Sequence, residues 1–148
     1  MTDYATGPER RMVVQKLIAW RGACGDDGSI PVKDAIEGVF AEVAPLSFVV
    51  EVSDDAESKI TSIGSELKEL NGADVTGQTI SSIELNSFIG QMLQSLTLVI
   101  NKKLPATVGG EFEKSSKEKI IYRCILMPLS AASEKINIVL GAVSFKTE

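Results

Sequence analysis

The sequence predicts an α+β domain: a five-stranded antiparallel sheet, a long helix across one face, and a further helix at the N-terminus. Three observations carry this. Residues 119–129 and 136–145 are two apolar runs rich in β-branched and aromatic side chains, parted by a short polar break at 130–135. They read as two adjacent antiparallel strands. Residues 84–103 hold an apolar stripe at close to ideal helical spacing: Leu85, Phe88, Ile89, Met92, Leu93, Leu96, Val99 and Ile100. Neither run of the C-terminal pair alternates cleanly between apolar and polar. Tyr122, Cys124 and Leu126 point one way; Ile121, Ile125 and Met127 point the other. A sheet with one wet face alternates, so both faces of this one are covered.

The other elements follow in order. Residues 1–7 read as frayed. From Pro8 to about Gly22 the pattern is helical, with Pro8 suited to a first turn and Glu9 to the positive end of the dipole. Val13, Leu17 and Trp20 share one face, widened by Val14 and Ile18. Residues 24–29, with Gly-Asp-Asp-Gly, form a turn, and residues 30–44 a short helix or helical turn closed by Pro45. Residues 46–53 and 59–64 are strands joined across an Asp-Asp turn. Residues 65–70 make a brief helix stopped by Asn71-Gly72, a left-handed C-terminal cap. Residues 79–83 are a helical turn. Lys102 and Lys103 close the long helix, and Pro105 follows it. Residues 107–113 are the third strand, where Gly109-Gly110 suggests a bulge or a close backbone approach.

Composition narrows the function. The 148 residues are 44% hydrophobic and 24% charged, enough for a real core and against wholesale disorder. The net charge is -5 without a basic run, which disfavours nucleic-acid binding. No apolar run reaches membrane-spanning length, so membrane insertion is not expected. Residues 1–11 have no signal-peptide pattern, which points to the cytoplasm. Cys24 and Cys124 are too far apart for a metal or redox spacing and read as reduced thiols. Histidine is absent. That removes His-based nucleophilic systems, histidine-ligated haem and the commonest zinc sites. No catalytic constellation and no metal set emerge, and an enzyme is not expected. The carboxylate pairs Asp26-Asp27 and Asp54-Asp55 are explained by turn chemistry.

Residue-level phrases then carry a resemblance. Gly64-Ser65-Glu66-Leu67 and Asn71-Gly72-Ala73-Asp74-Val75-Thr76-Gly77-Gln78 match a "G-x-x-L-x-x-L-x-G-x-D-x-T-G" phrase. Arg123-Cys124-Ile125-Leu126-Met127-Pro128-Leu129-Ser130 and Leu140-Gly141-Ala142-Val143 match a final hairpin. In this order, with Trp20-Arg21 and Pro31 upstream, the chain resembles a stand-alone PAS domain protein of a group common in alphaproteobacteria. The resemblance implies two parts: an N-terminal helix and turn over residues 1–29, and a PAS-like domain over 30–148. It implies a bacterial sensory or regulatory role in signal transduction, acting on other signalling proteins, with a small apolar ligand as one means of control. The alternative is a ligand-independent dimerisation scaffold; a small α+β enzyme comes third. No cofactor is identified. A haem PAS takes a histidine from the long helix, and a photoactive flavin PAS carries a cysteine phrase where this chain reads Gln78-Thr79-Ile80-Ser81-Ser82-Ile83; both cofactors are disfavoured.

The residues expected to meet a ligand are Met92, Leu96, Tyr122, Cys124 and Leu126. Methionine suits an adaptable pocket wall, although such stripes are ordinarily core. Arg123 beside Tyr122 reads as a stem covering apolar surface. Val13, Leu17 and Trp20 either fold back onto their own sheet or anchor a homodimer.

Overall fold

The computed structural model describes residues 8–24, 30–31, 44–53, 57–114, 116–130 and 136–147. The expected short helix within 30–44, most of the turns at 24–29 and 54–58, the break at 131–135 and both aspartate pairs fall outside these residues.

Helix α1 runs Pro8–Ala23. A 3-10 turn, Ala44–Leu46, leads into β1, Ser47–Glu51, and β2, Lys59–Ile63. Then come α2, Ser65–Asn71, a 3-10 turn at Ile80–Ser82, and two helices, α3 (Phe88–Leu93) and α4 (Leu96–Lys102). Strands β3 (Ala106–Glu113), β4 (Lys119–Leu129) and β5 (Ile138–Thr147) complete the chain. The five strands form one antiparallel sheet in the order β2-β1-β5-β4-β3.

The continuous register of β3, β4 and β5 assigns the two faces. Ala106, Leu126, Gly141 and Phe48 lie side by side across four strands, and cross-strand partners share a face. Tyr122 and Cys124 lie on that same face, which α3 and α4 cover. Phe48 sits directly over Gly141, and a β-carbon there would collide with its ring. The opposite face presents Ile125, Met127 and Leu140, all buried. Helix α1 lies against β4 and β5 and covers it. Strands β4 and β5 are therefore largely dry on both sides, as their lack of alternation requires.

The expected single helix over 84–103 is two. Residues 84–87 form a turn: the Ser87 hydroxyl donates to the Glu84 carbonyl at 2.7 Å and accepts from the Gly90 N–H at 3.0 Å. That hydroxyl is the N-cap of α3 and starts the helix at Phe88. Leu85, in phase with the stripe, is 69% exposed because it precedes the cap. A second break at Gln94–Ser95 lets the apolar residues follow the sheet. Asn71 joins α2 to α3: its Oδ1 accepts the Ile89 N–H at 3.1 Å, one of the donors a helix start leaves unpaired. Gly72 caps α2 at φ 82°, as the Asn-Gly pair predicts.

Candidate functional site

The five residues expected at a ligand site come together. Tyr122, Cys124 and Leu126 are successive inward positions of β4, while Met92 and Leu96 belong to α3 and α4 above the sheet. All five are buried in one hydrophobic core. Met92 is fully buried.

Three aromatic rings close this layer at its β3 end. Phe88, the first residue of α3, meets Tyr122 edge-on with ring centroids 5.0 Å apart. On another side it stacks with Phe112 of β3 at 5.1 Å. Both geometries are favourable for aromatic pairs. The Tyr122 hydroxyl donates to Gln91 Oε1 at 3.0 Å, giving the buried phenol a partner. Gly109-Gly110 is a close approach and not a bulge. β3 stays in register with β4, and the Arg123 stem and the Tyr122 phenol lie over the two glycines. Phe88, Gln91 and Phe112 were not among the expected site residues. Gln91 was visible as a polar interruption three positions after Phe88. Phe112 becomes relevant only through its register, at the next inward position after Gly110.

Cys124 is buried and Cys24 half-buried. Burial pushes Cys124 far above the ordinary thiol range and raises Cys24 as well. The Cys24 S–H donates to the Trp20 carbonyl at 3.4 Å. Among the described residues no group of three or more His, Cys, Asp or Glu side chains could hold a metal. Two surface clefts of about 330 and 320 Å³ lie outside the aromatic layer. One involves Asn71, Gln78, Glu84 and Ser87; the other involves Glu66, Glu69 and Lys114. Glu57 and Asp74 have carboxyls held below their ordinary range. Glu57 accepts from the Ser81 side chain and backbone, and Asp74 from those of Thr76.

The residues weighed for a dimer lie on the other face. Trp20 donates its indole N–H to the Pro128 carbonyl at 2.9 Å. Val13 and Trp20 are 5% and 4% exposed within the single chain, and Leu17 is half-buried. The outward side of α1 carries Val14 and Ile18 instead. No described helix is long and apolar enough to cross a membrane.

Residues 12–144 match the PAS domain family, and the chain belongs to it. Three solved structures share the fold. One is the LOV domain of a blue-light activated histidine kinase from Erythrobacter litoralis (12% identity, 69% of this chain and 95% of that one, TM-score 0.50). The second is a light-oxygen-voltage domain studied through a flavin analogue (9% identity, 77% and 86%, TM-score 0.56). The third is the dark structure of the photoreceptor Aureochrome1 LOV (13% identity, 76% and 83%, TM-score 0.54). No curated protein matches the chain. The protein is a PAS-fold sensory or regulatory module.

Proposed function

We propose that this PAS module is a cytoplasmic, non-enzymatic regulator that acts by binding other signalling proteins, with its inner layer filled by its own side chains. The observation that carries this reading is the position of Phe88 between Phe112 and Tyr122. These rings, with Met92 and Leu96 beside them, occupy the space between helix and sheet. The light-oxygen-voltage neighbour was studied with a flavin analogue, but the residues here do not fit a flavin. A planar cofactor would displace Phe88. Neither the half-buried Cys24, which follows α1, nor the deeply buried, protonated Cys124 offers a thiolate to the inner layer. On this reading, information passes over protein surfaces.

A second reading keeps a small apolar ligand as the control. The helix break at Gln94–Ser95 favours it, because it separates the segments bearing Met92 and Leu96 and marks where the cover can part. Native mass spectrometry and a visible spectrum of freshly purified protein distinguish the two. Mass equal to the bare chain and no visible absorbance support the filled-core reading. A retained flavin overturns it, and a retained small apolar molecule favours the second.

A further inference from the structure

The two edges of the sheet differ. The β2 edge is closed by its own chain: Ile60 N–H donates to the Gln78 carbonyl at 3.0 Å, Gly77 N–H to the Ile60 carbonyl at 2.7 Å, and Ile80 N–H to the Ser58 carbonyl at 2.9 Å. The β3 edge has no such cover among the described residues. Its direction of bonding can be read from its ends. The Lys114 N–H donates across the hairpin to the Glu118 carbonyl at 2.9 Å, and the Ser130 N–H turns away from β5 to the Pro31 carbonyl at 3.0 Å. Even-numbered residues of β3 and β4 thus bond to each other. The N–H and C=O groups of Thr107, Gly109, Glu111 and Glu113 point outward. These four positions are exposed, and β3 pairs with β4 without a register shift. Nor does β3 contain a proline. Exposed edges are normally blunted by bulges, proline or charge, because unpaired strands recruit other strands; β3 carries only the charges of Glu111 and Glu113.

We propose that β3 is a homotypic docking edge, joining two copies of this chain through antiparallel β3–β3 pairing about a two-fold axis at Gly110. The occupant follows from self-complementarity. With Gly110 opposite Gly110, Thr107 faces Glu113 of the second copy and Gly109 faces Glu111. Every outward N–H and C=O of these residues then finds a partner. Val108 faces Phe112 of the second copy, so the half-buried apolar residues meet in aromatic–aliphatic pairs. No carboxylate faces a carboxylate. Moving the axis to Glu111 would oppose like charges. Moving it to Gly109 would set Glu113 against Pro105, which has no N–H. The result is a continuous sheet across both copies, independent of α1.

The test combines sedimentation velocity and amide hydrogen exchange on the full chain from about 1 to 200 µM, a range that spans a micromolar dissociation constant. The amides of Thr107, Gly109, Glu111 and Glu113 should gain protection with concentration, while those of Val108, Gly110 and Phe112 stay unchanged. Glu111→Pro removes an outward N–H without deleting a β3–β4 hydrogen bond, and should abolish the dimer. Thr107→Lys places opposite charges across the axis and should tighten association by roughly threefold to tenfold. Thr107→Glu should weaken it by a similar factor. A chain that is monomeric throughout, outward amides that ignore concentration, or Thr107 variants that shift association the same way would each overturn the proposal. The Thr107 pair decides the matter if Glu111→Pro does not fold. A dimer through another surface overturns this edge and leaves regulation through protein contacts standing.

Discussion

The indole of Trp20 donates to the carbonyl of Pro128 at 2.9 Å, across 108 positions of sequence. Pairing between β3 and β4 ends at Ala106 and Leu126. Beyond that point the outward carbonyl of Pro128 has no strand to meet, and proline has no N–H to offer on that side. Trp20 supplies the missing donor and buries its ring on the sheet at once. The bond ties α1 to the core of its own chain.

Trp20→Ala should therefore unfold the protein more easily; loss of association is not its primary effect. Truncating a buried tryptophan costs about 3–5 kcal/mol, and the uncapped carbonyl adds to that. Urea denaturation at low protein concentration should show the drop in midpoint. An unchanged midpoint would mean that α1 does not rest on this sheet in solution.

Two glycines in helices should respond in opposite ways to alanine. A β-carbon at Gly90 would collide with the Glu84 backbone carbonyl, so the turn that caps α3 must move. Gly90→Ala should cost about 1–3 kcal/mol. A β-carbon at Gly22 meets nothing within 4 Å. Gly22→Ala should gain about 0.5–1 kcal/mol from helix propensity. Thermal melts of the two variants beside the parent provide the comparison.

In the inner layer, Tyr122→Phe keeps the ring contact with Phe88 and removes the donor to Gln91. It should lower stability by about 1–2 kcal/mol and leave the mass of the purified chain unchanged. Met92→Trp overfills a packed site and should be at least as damaging as Leu93→Trp, at about 1–3 kcal/mol or more. If Met92→Trp were instead neutral in denaturation, space would exist beside Met92, and the apolar-ligand reading would gain.

How far these features were legible varied with the physics behind each. The β4–β5 pair was readable because apolar residues at consecutive positions demand two covered faces. The Asn71-Gly72 cap was readable because a left-handed residue is a local requirement. The break in the long helix was not. Periodicity keeps Leu85 in phase, and only the Ser87 cap and the close packing of Gly90 on Glu84 show that the helix starts later. Trp20 was legible as an anchor but not in its target, because an apolar face looks the same whether its own sheet or another copy covers it. Phe112 was illegible as a partner of Phe88, since that contact depends on the register of β3 against β4.

Acid should weaken the fold through two surface carboxyls. Asp74 accepts from both the backbone N–H and the hydroxyl of Thr76, at 3.0 and 2.6 Å, and lies 3.6 Å from the Lys68 ammonium. These partners favour the ionised carboxyl and hold it below its ordinary value of 3.8, with the Thr76 hydroxyl contributing most. Glu57 is held below 4.5 in the same way by Ser81. A carboxyl whose folded value is depressed binds its proton more readily when unfolded. Its contribution to stability is therefore present above the unfolded value and lost as pH falls through the folded one. The denaturation midpoint should hold level from neutrality to about pH 5, then fall toward pH 3. Asp74→Asn should start lower at neutral pH and flatten that fall, and Glu57→Gln should do the same over a slightly higher range. Both groups are exposed, so the changes should be small and weaken in salt. A steep fall that neither substitution alters would place the acid-sensitive groups elsewhere in the chain.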